Sequence, residues 1–172
     1  PTVRHELTVG YRIPGPIMDL AARVLAVAAP DLAPPRSVRG DGEAPRFIGL
    51  TGEQAEKLDG LVEVVRAELE SVGAGNLAVI AADSQANDVE QALERAGVAF
   101  GRPTRRGLDA RVTVVPVGLV KGLEVDGAVV VEPARILREQ SQGVRALYVA
   151  LTRATKRVAV VHTEPLPAAL SD

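Results

Sequence analysis

Asn76-Leu77-Ala78-Val79-Ile80-Ala81-Ala82 is a continuous apolar run of strand length, the pattern expected of a strand buried on both faces of a parallel sheet. Ser84 is placed to cap a following helix that carries Val89, Leu93 and Ala96 on one face and stops at Gly97. Val98-Ala99-Phe100 then completes a strand, helix, strand rhythm. Upstream, residues 46–50 read as a short strand, and Thr51 with Gln54 forms a capping-box signature that opens a helix running to about residue 72. Further upstream, Ile17, Leu20, Ala21, Val24, Leu25 and Ala28 make residues 16–29 an amphipathic helix, entered through Pro14-Gly15-Pro16. Downstream come apolar runs at 112–117 and 128–131, and a last strand at 158–162. Alternation on this scale predicts an α/β fold, a parallel sheet with helices on both faces.

At 172 residues the chain has the size of one domain. With 47% hydrophobic residues but only 2% aromatic and no Trp, its core must be aliphatic, and it has no aromatic platform for stacking bases. Absence of Cys removes disulfides, thiolate metal sites and cysteine nucleophiles, and fits a reducing, cytoplasmic setting. The net charge of −2 is not the footprint of an independent nucleic-acid binder, although a local basic patch is compatible with it. His5 and His162 are the two histidines, neither near a nucleophile in sequence, so no catalytic triad and no metal site is expected. There is no 18-residue apolar run, hence no expected membrane span, and the start at Pro1-Thr2-Val3 reads as that of an excised fragment.

Leu147-Tyr148-Val149-Ala150-Leu151-Thr152-Arg153-Ala154-Thr155-Lys156-Arg157 reads as one helix that finishes in cations. Val144, Leu147, Tyr148 and Leu151 fall at i, i+3, i+4 and i+7, and Ala146, Val149, Ala150 and Arg153 form a second row. Such a helix sits between neighbours and delivers Arg153 to the edge of the core, where an unpaired guanidinium is costly because it keeps its proton. Two fates are open for it: compensating the helix dipole beside a carboxylate, or binding an anion. Between the late strands lies Val120-Lys121-Gly122-Leu123-Glu124-Val125-Asp126-Gly127. Following an apolar strand, it is expected at the carboxyl edge of the sheet, where open α/β folds bind ligands, unless it is a plain surface turn.

Lys121-Gly122-Leu123-Glu124-Val125-Asp126, an apolar strand, and then Leu147 to Ala154 together resemble the fifth and sixth motifs of the UvrD/Rep-like superfamily 1 helicases. Gly10-Tyr11-Arg12-Ile13-Pro14, ahead of an amphipathic helix, resembles the fourth. The resemblance covers residues 6–163 and implies a RecA-like parallel sheet, the C-terminal motor domain, over residues 1–163, with 164–172 a tail expected to fray. In that family ATP with Mg lies between two RecA-like domains. This chain has no Gly-x-x-x-x-Gly-Lys-Ser/Thr, so the phosphate loop and metal ligands are expected on an N-terminal RecA-like domain, and the chain alone is expected not to hydrolyse ATP.

By position, the resemblance places Tyr11 on the adenine, Glu124 on the ribose with Gly122 in the same nucleotide site, and Arg12 and Arg153 toward the γ-phosphate as the catalytic arginines. Lys121 and Thr152 fall where the family couples nucleic acid to the cleft, and Arg153 is expected to point out of the chain. Departures are Gly118 for a usual His, Val125 for an aromatic, Gly10 for Asn, and Asp83-Ser84 where relatives carry Arg ahead of Ser or Thr. The stretch 100–111 leaves room only for a loop where processive relatives insert a large domain. That compactness resembles the helicase-IV and HelD branch. The function implied is an ATP-dependent DNA helicase or translocase whose partners are its N-terminal domain and single-stranded DNA. The alternatives are a HelD-like remodeller of RNA polymerase and a decayed motor domain serving as a non-catalytic interaction module.

Overall fold

Residues 13–28, 42–56, 58–104 and 110–171 are described by the computed structural model. In chain order the elements are α1 (Gly15–Ala28), β1 (Arg46–Gly49), α2 (Glu53–Glu56), α3 (Asp59–Val72), β2 (Leu77–Ala81), α4 (Ala86–Arg95), β3 (Val112–Pro116), a 3-10 turn (Val117–Leu119), β4 (Val125–Val131), α5 (Pro133–Glu139), α6 (Gly143–Leu151) and β5 (Ala154–His162). The strands form one sheet in the order β1-β5-β4-β2-β3, and every adjacent pair is parallel. All five residues of β2 are buried, as its unbroken apolar run requires, because both faces of the sheet are covered.

Side chains alternate between the two faces with the strand period of two. Ala78, Ile80, Ala128, Val130, Val158 and Val160 point toward α1, α5 and α6, where Ile17, Val24, Ile136, Leu147 and Leu151 meet them. Leu77, Val79, Val129, Val131, Ala159 and Val161 point the other way, toward Leu61, Val65, Val89 and Leu93 of α3 and α4. The result is the expected three-layer α/β arrangement with an aliphatic core. Among the described residues, no helix is long and apolar enough to cross a membrane.

Several elements differ from the sequence reading. Val98, Ala99 and Phe100 do not form a strand: Val98 N–H closes the end of α4 on Leu93 O, and the chain then meets the sheet at a bridge between Gly101 and Thr113. Val98 and Phe100 are used as packing against the α3/α4 core instead. The capping-box helix breaks after α2, because Leu58 adopts a left-handed φ of 59° that turns its side chain into the core, and its carbonyl starts α3. Ser84 does not cap α4; its hydroxyl donates to Glu139 Oε2. The helix read over 147–157 stops at Leu151, and Lys156 and Arg157 belong to β5. Pairing with β4, from Val125 on Ala154 onward, imposes the switch, and Val158, Val160 and Val161 continue the strand. Residues 164–171, whose Pro/Ala composition suggested fraying, carry a Leu166/Leu170 spacing that docks on the α1/α6 side, with Leu170 2% exposed.

Two buried carboxylates fasten the sheet. Glu68 on α3 is fully buried and accepts from Arg46 Nη1 of β1 at 2.7 Å and from Arg157 Nη2 of β5 at 3.2 Å. Arg157 also reaches Glu43 at 2.6 Å, and these carboxylates, Glu68 first, hold its guanidinium above the usual range. Glu132, at the end of β4, has φ 50° and is 3% exposed; it accepts from the Thr163 N–H at 3.0 Å and from the Thr163 hydroxyl. Replacing Glu68 by Ala leaves Arg157 partly buried without its inner partner. Urea denaturation should show a loss of about 3 kcal/mol, whereas Glu90→Ala, which unpairs only the exposed Arg102, should lose less than about 1 kcal/mol.

Candidate functional site

The late charged segment lies elsewhere than the carboxyl edge assigned to it from sequence. After β3 ends at Pro116, the 3-10 turn starts at that edge, where the Gly118 N–H donates to Asp83 Oδ1 at 3.0 Å just beyond β2. Residues 120–124 then return the chain to the opposite edge, because β4 must start parallel to β3's neighbour β2. Val125 pairs with Ala154 at the first step of the β4/β5 ladder, and its N–H donates to Arg153 O at 3.1 Å. Glu124 and Arg153 are thereby brought together at the amino edge of the sheet. Gly122 allows the return: its φ is +85°, and nothing lies within 4 Å of where a Cβ would stand.

Arg153 is half-buried and does not point outward. Its Nε donates to Val149 O at 3.0 Å, Nη1 to Leu123 O at 3.3 Å and Nη2 to Thr152 Oγ1 at 3.2 Å. The carbonyls at a helix C-terminus lack intrahelical partners and carry partial negative charge, which draws the guanidinium back onto α6. Burial pushes Arg153 below its usual range, while nearby Tyr148 and Glu124 act the other way. Tyr148 is raised by burial and pulled down by Arg153, so the phenol stays neutral. A guanidinium has five N–H donors, and these three bonds leave two for an anion.

Thr152, 7% exposed, sits at the C-cap of α6, and its hydroxyl lies 3.1 Å from both Tyr148 O and Val149 O. Lys121 is exposed and lines a separate open groove of ≈ 260 Å³ with Gly118, Gln140, Gln142, Arg145 and Val149. The groove and the Arg153 anchor share Val149. Sequence reading passed over Arg145, although its place four residues before Val149 puts the two on one face of α6. It also passed over the Leu123 carbonyl, for which residue type carries no signal. Tyr11 and Arg12 lie outside the described residues. Among the described residues, no group of three or more His, Cys, Asp or Glu could hold a metal ion.

No family model and no curated protein matches the chain. Solved structures do. The C-terminal domain of a possible DNA helicase from Lactobacillus plantarum WCFS1 is similar at 21% identity and a TM-score of 0.71, covering 94% of this chain and 92% of that one. The arterivirus nonstructural protein 10 helicase, in complex with DNA, is similar at 16% identity and a TM-score of 0.50 over 91% of this chain and 34% of its own. The Hef helicase domain of Pyrococcus furiosus matches at 20% identity and a TM-score of 0.46 over 64% of this chain and 26% of its own. The first of these likenesses establishes the fold as RecA-like α/β.

The return segment depends on its left-handed glycine. Gly122→Val, which meets no steric contact but forces a β-branched residue to φ +85°, should lower the unfolding free energy by about 1–2 kcal/mol. Gly122→Asn should lose less than half of that in the same denaturation experiment.

Proposed function

We propose that the chain is the second RecA-like motor domain of an ATP-dependent DNA helicase or translocase, and that it completes an ATP site whose phosphate loop and Mg ligands lie on a first RecA-like domain. The observation that supports this reading best is the Arg153 guanidinium, anchored half-buried at the amino edge of the sheet with two N–H donors to spare. A transferring phosphoryl group spreads charge over its oxygens, and a fixed guanidinium offsets that charge without giving up its proton. Arg12 is the second such arginine in this reading, with Tyr11 on the base. Glu124 and Gly122 stand where a ribose would be met. ATP supplies the chemistry of the cleft; the residues of this chain orient and stabilise it.

Lys121 has a different part. On its groove with Arg145 it is placed to hold strand phosphates, which compact, hydrated ammonium groups do as point charges. Because Val149 belongs to both the groove and the arginine anchor, strand binding and nucleotide chemistry meet on one turn of α6.

The test is ATP turnover. This chain alone should show none above buffer. In the full-length protein Arg153→Ala should lower kcat on the order of 10³-fold, with strand affinity measured by fluorescence anisotropy unchanged. Normal turnover in that variant would remove Arg153 from the mechanism. Stimulation of the wild type by single-stranded DNA, against stimulation by RNA polymerase alone, separates the helicase from the polymerase remodeller, and absence of turnover under both conditions would favour a non-catalytic module.

A further inference from the structure

We infer that Thr152 is a positioning residue: its hydroxyl aims the Arg153 guanidinium at the anion that Arg153 receives. This rests on the reading of Arg153 proposed above and assigns Thr152 a part different from strand coupling. The geometry is specific. A hydroxyl has one proton and two lone pairs. Here the proton is directed at the α6 carbonyls, with Tyr148 O and Val149 O each 3.1 Å away. The oxygen is therefore oriented with a lone pair to offer, and Arg153 Nη2 donates to it at 3.2 Å. Such back-bonding by Thr to the carbonyls three and four residues earlier is local and self-contained, so the acceptor stays in place whether or not a ligand is present.

The three anchors around the guanidinium are not equivalent. Val149 O and Leu123 O are backbone groups supplied whatever the side chains are. Thr152 Oγ1 is the one side-chain acceptor among them. It holds Nη2, one of the two nitrogens whose remaining hydrogens are available to an incoming anion. Losing it removes one of the three bonds that fix the guanidinium plane, loosens the Nη2 end, and leaves an N–H without an acceptor at a site that is already poorly hydrated. A misplacement of about 1 Å at a reacting group can cost as much as 10²-fold in rate.

The requirement is for a hydroxyl, not for a β-branched shape. Thr152→Val keeps the volume, the χ1 restriction and the backbone N–H, which continues to cap α6 on Tyr148 O and Val149 O. Thr152→Ser keeps the hydroxyl and drops the methyl. In the full-length protein, ATP hydrolysis should fall roughly tenfold in kcat for Thr152→Val, with KM for ATP within about twofold of wild type. Thr152→Ser should restore at least half of the wild-type kcat. Both variants should still unfold in one cooperative transition, with the midpoint of Thr152→Val lowered by a few degrees at most, and anisotropy with a fluorescent single strand should match wild type.

Arg153→Ala is run alongside. If it retains turnover, the reading of Arg153 fails. If it loses turnover while Thr152→Val remains at the wild-type rate, the positioning role alone is overturned. A fall in kcat that serine does not rescue, or a loss confined to strand affinity, would equally overturn it.

Discussion

The parallel pairing of β4 with β5 is the constraint from which the candidate site follows. Parallel neighbours start at the same edge, so whatever precedes each strand is delivered to the same place. Leu123 and Glu124 precede β4; Thr152 and Arg153 precede β5; the Val125 to Ala154 register brings the two pairs together. A slip of one residue in that ladder would turn Val158 and Val160 out of one core and Ala159 and Val161 out of the other. Burial on both faces thus fixes the site's geometry at the same time as it fixes the fold.

Cations around the sheet differ in what faces them, and that difference separates structure from chemistry. Arg157 and Arg46 are neutralised by Glu68, with Glu43 added for Arg157. Arg138 is clasped by both oxygens of Glu164. Arg153 is hydrogen-bonded to two carbonyls and a hydroxyl, acceptors that orient a guanidinium without cancelling its charge, and the nearby Glu124 offsets its burial only in part. Desolvation at Arg153 is therefore only partly offset in the chain as it stands. An anion at that position would supply the missing attraction, and for this reason a half-buried arginine on neutral acceptors is better suited to a ligand than one already in an ion pair.

Sequence alone made the sheet legible, because a strand buried on both faces needs an unbroken apolar run and 76–82, 112–117 and 128–131 provide it. The helices α1, α4 and α6 were legible from their 3.6-residue periods. Boundaries were not. Ala154 to Arg157 continues the polar and small residues of a helix end, and only its pairing with β4 makes it strand. Leu58 could not be foreseen as left-handed, since a non-glycine takes that conformation when tertiary packing outweighs its local cost. At the site, motif spacing named Arg153, Glu124, Gly122, Lys121 and Thr152, but the segment before β4 ends at the amino edge rather than at the carboxyl edge expected for it. A return to the opposite edge over 120–124, after no more than a 3-10 turn, looks in sequence like any loop at the carboxyl end of a strand. Glu68 was hidden for a related reason. A carboxylate on an amphipathic helix reads as solvent-facing until two arginines from separate strands are found beneath it.

The ion pair between Arg46 and Glu68 has a bearing on self-association as well as on cohesion. β1 stands at the end of the strand order and leaves Phe47 38% exposed, the kind of edge onto which a strand from another molecule can add. It is only four residues long, and it opens on an arginine drawn back toward α3 by Glu68. A short edge headed by a tethered arginine offers few free ladder positions to a second copy of itself. The same carboxylate that secures the outer strand from within thus discourages the sheet from growing beyond it.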